Sequence, residues 1–194
     1  MTILISIIIS FLCGSIPTGY LIIKKLYGID IRTKGSGNIG STNVKRIAGI
    51  KIAIITQIID ILKGIVPVAL ALGVSKILNL PIPTNIYLSI VALVVILGHD
   101  YTPFLGFNGG KGVNTTIGAF FLLAPIAILS GVAVYFILRL FIKVVSIRSI
   151  GLGITIPILC IIMKLPSEII ISATMACILM IFRHKNNLIK LIAK

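Results

Sequence analysis

The chain has 194 residues, of which 58% are apolar and 11% charged, and its mean hydropathy is +1.18. A soluble domain carries about a quarter charged residues, so this composition excludes one and describes a single polytopic membrane domain over residues 1–194. The net charge of +14 is no nucleic-acid footprint, because the basic residues cluster beside apolar runs as the positive-inside bias requires, and Trp is absent.

The first apolar run, Thr2 to Ile23, has no preceding positive charge and is followed by Lys24 and Lys25, the reverse of a secretory signal's charge order. It reads as a retained first span with the N-terminus outside. Within it lies the string GSIPTG, Gly14 to Gly19. Either a packing kink with small residues at a helix contact or a ligand role accounts for that string.

Gly28 to Arg46 reads GIDIRTKGSGNIGSTNVKR, a polar and basic segment between apolar runs. Glycines let main-chain N–H groups approach a ligand, and successive N–H groups form nests that hold anions. Ser, Thr and Asn add hydrogen bonds, and Arg supplies a fork that matches phosphate oxygens. The segment has the composition of an anion site; the alternative is a solvated loop whose cations only fix orientation.

Ile50 to about Leu72 forms a second span, interrupted by Gln57, Asp60 and Lys63. A carboxylate and an amine three residues apart share a helix face. Ionisable groups in a span face a bundle interior or a wet cavity, so this pair is either a site or a structural ion pair. Lys76 to Asn85, with Pro81 and Pro83, reads as an external turn, and Ile86 to Leu97 returns to the inside. The next polar string, Gly98 to Thr116, contains Gly109, Gly110, Lys111 and Gly112. This resembles a phosphate-binding loop but fails the Walker A pattern, since Gly112 follows Lys111 where Ser or Thr is required, so ATP is not implied. Two anion-friendly loops on one side of the membrane can then face one pocket.

An apolar run from Thr115 to Leu138 carries Pro125 near its middle and is followed by Arg139, Lys143, Ser146, Arg148 and Ser149. Further runs, Ile150 to Met163 and Glu168 to Phe182, lead to the basic tail RHKNNLIKLIAK, which the charge rule places in the cytoplasm. If the GGKG loop, the stretch 139–148 and the tail are all inside, the run 115–138 must enter and leave on one face. It then bends at Pro125 into a helical hairpin, giving about seven helices. The alternative is a simple span with residues 139–149 outside. Cys13, Cys160 and Cys177 lie in apolar runs without CxxC spacing, and Asp30, Asp60 and Asp100 are too scattered for a metal cluster, so neither metal nor cofactor is expected.

The strings GSIPTG, DIRTKGSGNIGSTNVKR, DILKG, GHDYTPFLGFNGGKGV and FRHKNNLIKL, in this order and spacing from Gly14 to Leu191, resemble the bacterial acyl-phosphate:glycerol-3-phosphate acyltransferases. The resemblance implies an all-α bundle of membrane helices in the cell membrane, with an active site at the cytoplasmic face. It implies transfer of an acyl group from a fatty acyl phosphate to the 1-hydroxyl of sn-glycerol 3-phosphate, giving lysophosphatidic acid and phosphate. Membrane lipids, and enzymes that supply acyl phosphate, are the partners it suggests. Carried over residue by residue, Ser36, Asn38, Gly40, Thr42, Asn43 and Arg46 fall in the family's first motif. Gly109, Gly110, Lys111 and Gly112 fall in its second, associated with glycerol phosphate, and Arg183, His184 and Asn187 in its third. Ser146 and Ser149 match a serine pair. Ser36, Arg46, Lys111, His184 and Asn187 are the expected catalytic group, and the others are expected to bind substrate. Three departures stand out: Thr102 replaces a proline after Tyr101, Ile189 and Lys190 stand where an arginine is usual, and the sequence stops at Lys194 before an expected acidic residue.

No Ser/His/Asp triad can be assembled, and the HxxxxD pattern of other glycerolipid acyltransferases is absent, since Phe104 and Ile189 stand five places after His99 and His184. The expected chemistry is therefore positioning of two anions, with His184 orienting and the donor's own phosphate accepting the proton. The rival readings are a small transporter with glycine-broken helices, which calls for two related halves that the sequence lacks, and a metal-dependent phosphotransferase.

Overall fold

The computed structural model describes residues 1–192. Among the described residues there are eight α-helices: α1 (Thr2–Ser15), α2 (Thr18–Tyr27), α3 (Ser41–Ile77), α4 (Thr84–Asp100), α5 (Val113–Phe121), α6 (Pro125–Phe141), α7 (Val145–Ile162) and α8 (Ser167–Ile192). Five stretches are long and apolar enough to cross a membrane: α1 with α2, α3, α4 with its following turn, α7, and α8. At 1.5 Å per residue α5 covers only about 14 Å, less than half a bilayer core. It stops at Phe121, and Pro125 opens α6 in the first-turn position where a missing N–H costs nothing. Gly112 before α5 and Val145 after α6 line one cavity, so the chain returns to the face it left. The hairpin expectation holds, and a simple span over 115–138 is excluded.

The central helix is α4, whose Tyr87, Val91, Ala92 and Val95 are fully buried. Because lipid tails are as apolar as side chains, helices in a membrane gain by bringing backbones into contact at small residues. Gly14 lies against the Val95 carbonyl and Gly98 against that of Phe11, joining α1 to α4; Gly64 and Gly118 do the same for α3 and α5. A smaller cluster of Ile23, Ile31, Ile39 and Val44 roots the 28–46 loop.

Three local features follow from single residues. Pro17 separates α1 from α2, and the interrupted ladder is completed from elsewhere: Thr102 Oγ1 donates to the Ser15 carbonyl at 2.6 Å and Lys63 Nζ to the Ile16 carbonyl at 2.8 Å. The GSIPTG string is thus a packing kink, since none of its residues lines the cavity, and the unusual Thr102 has a structural task. Lys63 also pairs with Asp60 at 2.9 Å, both groups being buried, so the structural alternative holds for Lys63. Finally, Gly49, at φ 77° and ψ −178°, kinks α3 between Ser41–Ala48 and the span that starts at Ile50. The sequence placed that span correctly but not the short helix before it.

Met1, Thr2 and Ile3 share a small pocket with Leu78 to Pro81 at one end of the bundle. The 28–46 loop, Lys111, the start of α7 and the last turns of α8 gather at the other.

Candidate active site

At that second end a cavity of about 860 Å³ is walled by α3, α5, α6, α7 and α8. Three helices begin on it: α3 after Gly40, α5 after Gly112 and α7 after Val144. None has a side-chain cap or an acidic residue in its first turn. Each therefore presents unpaired N–H groups and the positive end of its dipole. Lys45, Arg46, Lys111, Arg139, Lys143 and Arg148 add six cations, against Asp60 as the one acid among the lining residues. Such a concentration of donors and positive charge is built for phosphate-like anions. Away from it the lining turns apolar, with Ile50, Ala53 and Ile54 of α3 facing Val132 and Phe136 of α6.

Twelve of the residues named from the sequence line this cavity: Ser36, Asn38, Gly40, Thr42, Asn43, Arg46, Lys111, Gly112, Ser146, Ser149, His184 and Asn187. They come from four separate stretches. Within the first loop the labour is divided. Asn43 is 1% exposed; its carboxamide oxygen accepts the Ser36 N–H at 2.8 Å, and its amide donates to the Lys34 and Ile31 carbonyls at 3.0 and 3.3 Å. Asn38 accepts the Gly40 N–H at 2.9 Å. These two side chains shape the loop that offers Ser36, Thr42 and Arg46 to the cavity.

On the facing side Lys111 Nζ donates to Asn187 Oδ1 at 2.6 Å. Burial, aided by the Arg183 and Arg46 charges, lowers the Lys111 pKa to about 8. His184 is 2% exposed, and its Nδ1 lies 2.8 Å from the Met180 carbonyl. A carbonyl only accepts, so Nδ1 carries the hydrogen, and in the neutral ring Nε2 is left as an acceptor. His184 and Asn187, three residues apart, share the cavity face of α8.

Gly109, Gly110 and Arg183 were expected to bind substrate, but none of them lines the cavity. The Gly109 and Gly110 N–H groups donate to the Asp100 and His99 carbonyls at 3.2 and 2.9 Å, so they are not free for phosphate. A Cβ on Gly110 would strike the His99 imidazole. Arg183 donates to the Gly110 and Gly109 carbonyls at 3.0 and 3.2 Å, and its guanidinium stacks over Tyr101 at 4.8 Å. The three residues hold the loop against α4 and leave Lys111 and Gly112 at the cavity.

Gln57, His99, Asn114 and Arg148 line the cavity without having been named as site residues, and Asp60, left open between a site and a structural ion pair, lines it too. For Asp60 the signal was a charge inside a span. For Arg148 there was none, because a cation beside an apolar run reads as a topological marker.

Helices packed through glycine pairs, around one cavity that joins a cationic end to an apolar wall, define an integral membrane protein. The sequence pattern of the glycerol-3-phosphate acyltransferase family matches residues 4–194. A glycerol-3-phosphate acyltransferase of Clostridium acetobutylicum is 67% identical over 190 residues, 98% of this chain and 96% of that one. That of Geotalea daltonii is 39% identical over 188 residues, covering 97% and 93%. The crystal structure of PlsY (YgiH), an integral membrane glycerol 3-phosphate acyltransferase, in its glycerol 3-phosphate form matches with a TM-score of 0.90. Identity there is 34%, covering 100% of this chain and 93% of that one. Its lysophosphatidic acid form gives 0.88 at 33% identity. The chain belongs to the glycerol-3-phosphate acyltransferase family, which makes it an acyltransferase and sets the transporter and phosphotransferase readings aside.

Proposed function

We propose that this enzyme moves the acyl group of a fatty acyl phosphate to the 1-hydroxyl of sn-glycerol 3-phosphate, yielding lysophosphatidic acid and inorganic phosphate, at the cytoplasmic face of the cell membrane. The observation that carries this reading is the continuity, within one cavity, of three helix N-termini and six cations with the apolar wall between α3 and α6. Both substrates are anions, and one of them also carries an acyl chain. A related enzyme solved with glycerol 3-phosphate and with lysophosphatidic acid, at 34% and 33% identity, supports the acceptor and the product.

An acyl phosphate is a mixed anhydride, so no acyl-enzyme is needed. The 1-hydroxyl oxygen attacks the carbonyl carbon, and the bond from that carbon to the phosphate oxygen breaks with its electron pair leaving on phosphate. The phosphate takes up the hydroxyl proton. Lys111 and Asn187 hold the acceptor, while His184 Nε2 accepts a hydrogen bond from it and so orients it. Ser36 and Arg46, with the start of α3, hold a phosphoryl group. Removing one such contact costs about 2 to 4 kcal/mol of transition-state stabilisation. Two further observations support the orientation. Lys76 and Lys164 are the cations near the Met1 end among the described residues, whereas those of the loops and tail cluster at the cavity end, as a cytoplasmic cavity requires.

The test is turnover of radiolabelled glycerol 3-phosphate by purified protein in detergent, without metal or nucleotide, with palmitoyl phosphate against palmitoyl-CoA. Turnover with the phosphate alone is expected; comparable use of the thioester would overturn the proposal.

A further inference from the structure

Arg148, one of the six cations, has no role in the reaction as drawn so far. It lies at the start of α7 and is 8% exposed, yet it faces the cavity. Its guanidinium carbon sits 5.1 Å from the centre of the Tyr135 ring on α6, and its Nε has no hydrogen-bond partner. No carboxylate of the cavity answers it, since Asp60 is the one acid in the lining and is engaged by Lys63 at 2.9 Å. Burying an unpaired cation costs more than an aromatic face returns. Packing alone would have been served at lower cost by an apolar side chain.

We propose that Arg148 is a specificity residue for the acyl donor: its guanidinium fork holds the donor's phosphoryl group before transfer and the released phosphate after it. Its surroundings decide between the two phosphates of the reaction. Tyr135, Phe136 and Leu152 line the cavity beside it, so Arg148 stands where the cationic end meets the apolar wall. A phosphate joined through a carbonyl to an acyl chain must sit at that junction. Glycerol 3-phosphate has no chain and is served by Lys111, Asn187 and His184. Ser146, on the same turn of α7 and also in the lining, supplies a hydroxyl to the same oxygens. The assignment rests on the acyl-phosphate reaction proposed above.

The test is steady-state kinetics on detergent-purified protein with each substrate varied separately, together with product inhibition by inorganic phosphate. Arg148→Lys keeps the charge but loses the fork and the ring stacking. It should raise KM for palmitoyl phosphate about tenfold, raise the inhibition constant of phosphate in parallel, and leave KM for glycerol 3-phosphate within about twofold. Arg148→Gln should do more of the same. Should the glutamine variant not fold, the lysine variant and the phosphate inhibition carry the test. A rise in KM for glycerol 3-phosphate instead, or a drop in Tm with both KM values and the phosphate inhibition constant unmoved, would overturn the assignment while leaving the reaction standing. A wild-type enzyme idle with palmitoyl phosphate would sink the reaction, and this assignment with it.

Discussion

At Lys111 burial and charge oppose one another, and the outcome is readable as a pH dependence. Its pKa is lowered from 10.5 to about 8, so the cation is complete well below that pH and disappears as pH rises through it. An anionic substrate recruits the charged form. Affinity for glycerol 3-phosphate should therefore fall, with KM rising up to about tenfold per pH unit above 8. Lys111→Arg stays charged throughout and should flatten the profile; coincident profiles for variant and wild type would remove Lys111 from the anion site. Lys63 gives a stability prediction. Lys63→Met strands the Asp60 carboxylate and removes a donor from the Ile16 carbonyl, at a cost of about 3 to 5 kcal/mol. Adding Asp60→Asn should restore part of the Tm in detergent; a double variant no more stable than the single one would argue against the pair. These assignments differ in how far the sequence announced them. A charged pair three residues apart is visible in any sequence. The task of Gly109 and Gly110 is not, because it depends on α4 carbonyls and on Arg183, more than seventy residues away, and phosphate loops and tight backbone packing both ask for glycine.

Among the elements, α3 depends most on one position. Gly49 occupies a region of backbone space open essentially to glycine. Gly49→Ala should cost about 1 to 3 kcal/mol, and it should lower kcat by disturbing the placement of Arg46, on the short helix, relative to the span. Gly73, in the same helix with open space around it, is the control: Gly73→Ala should be neutral or stabilising by up to about 1 kcal/mol. Equal effects on Tm and kcat at the two positions would mean that the kink has no special role. The hairpin of α5 and α6 was legible as one of two solutions, because charge on both flanks and a proline between them spoke for a return to one face, while a simple span stayed open. The kink was not, since a lone glycine at the edge of an apolar run signals a loop end as readily as a bend within a helix.

For the molecule as a whole, the cation distribution predicts which end faces the cytoplasm. Single cysteines at Asn79 and Lys143, both exposed, in a background lacking Cys13, Cys160 and Cys177, can be probed with an impermeant thiol reagent. Lys143→Cys should label only in inside-out vesicles and Asn79→Cys only in right-side-out ones. The reverse pattern would invert the orientation, and labelling of both from one side would contradict the fold. Span number and the cavity's membership were largely readable from hydropathy, charge and the motif strings. The way four distant stretches close around one volume was not, because nothing local records which helix faces which.

The break between α1 and α2 bears on how the protein is made. Its two completing groups, on Lys63 and Thr102, lie 47 and 87 residues further along the chain. A ribosome feeding this sequence into the insertion machinery thus releases a first segment whose backbone is not yet fully served, and it stays so until α3 and then the end of α4 have been delivered. Early release into lipid is penalised, and retention beside the translocation channel, where water still reaches the bend, is favoured. The N-terminal pair is thus finished only after α3 and α4 have followed it, although it is the first to be synthesised.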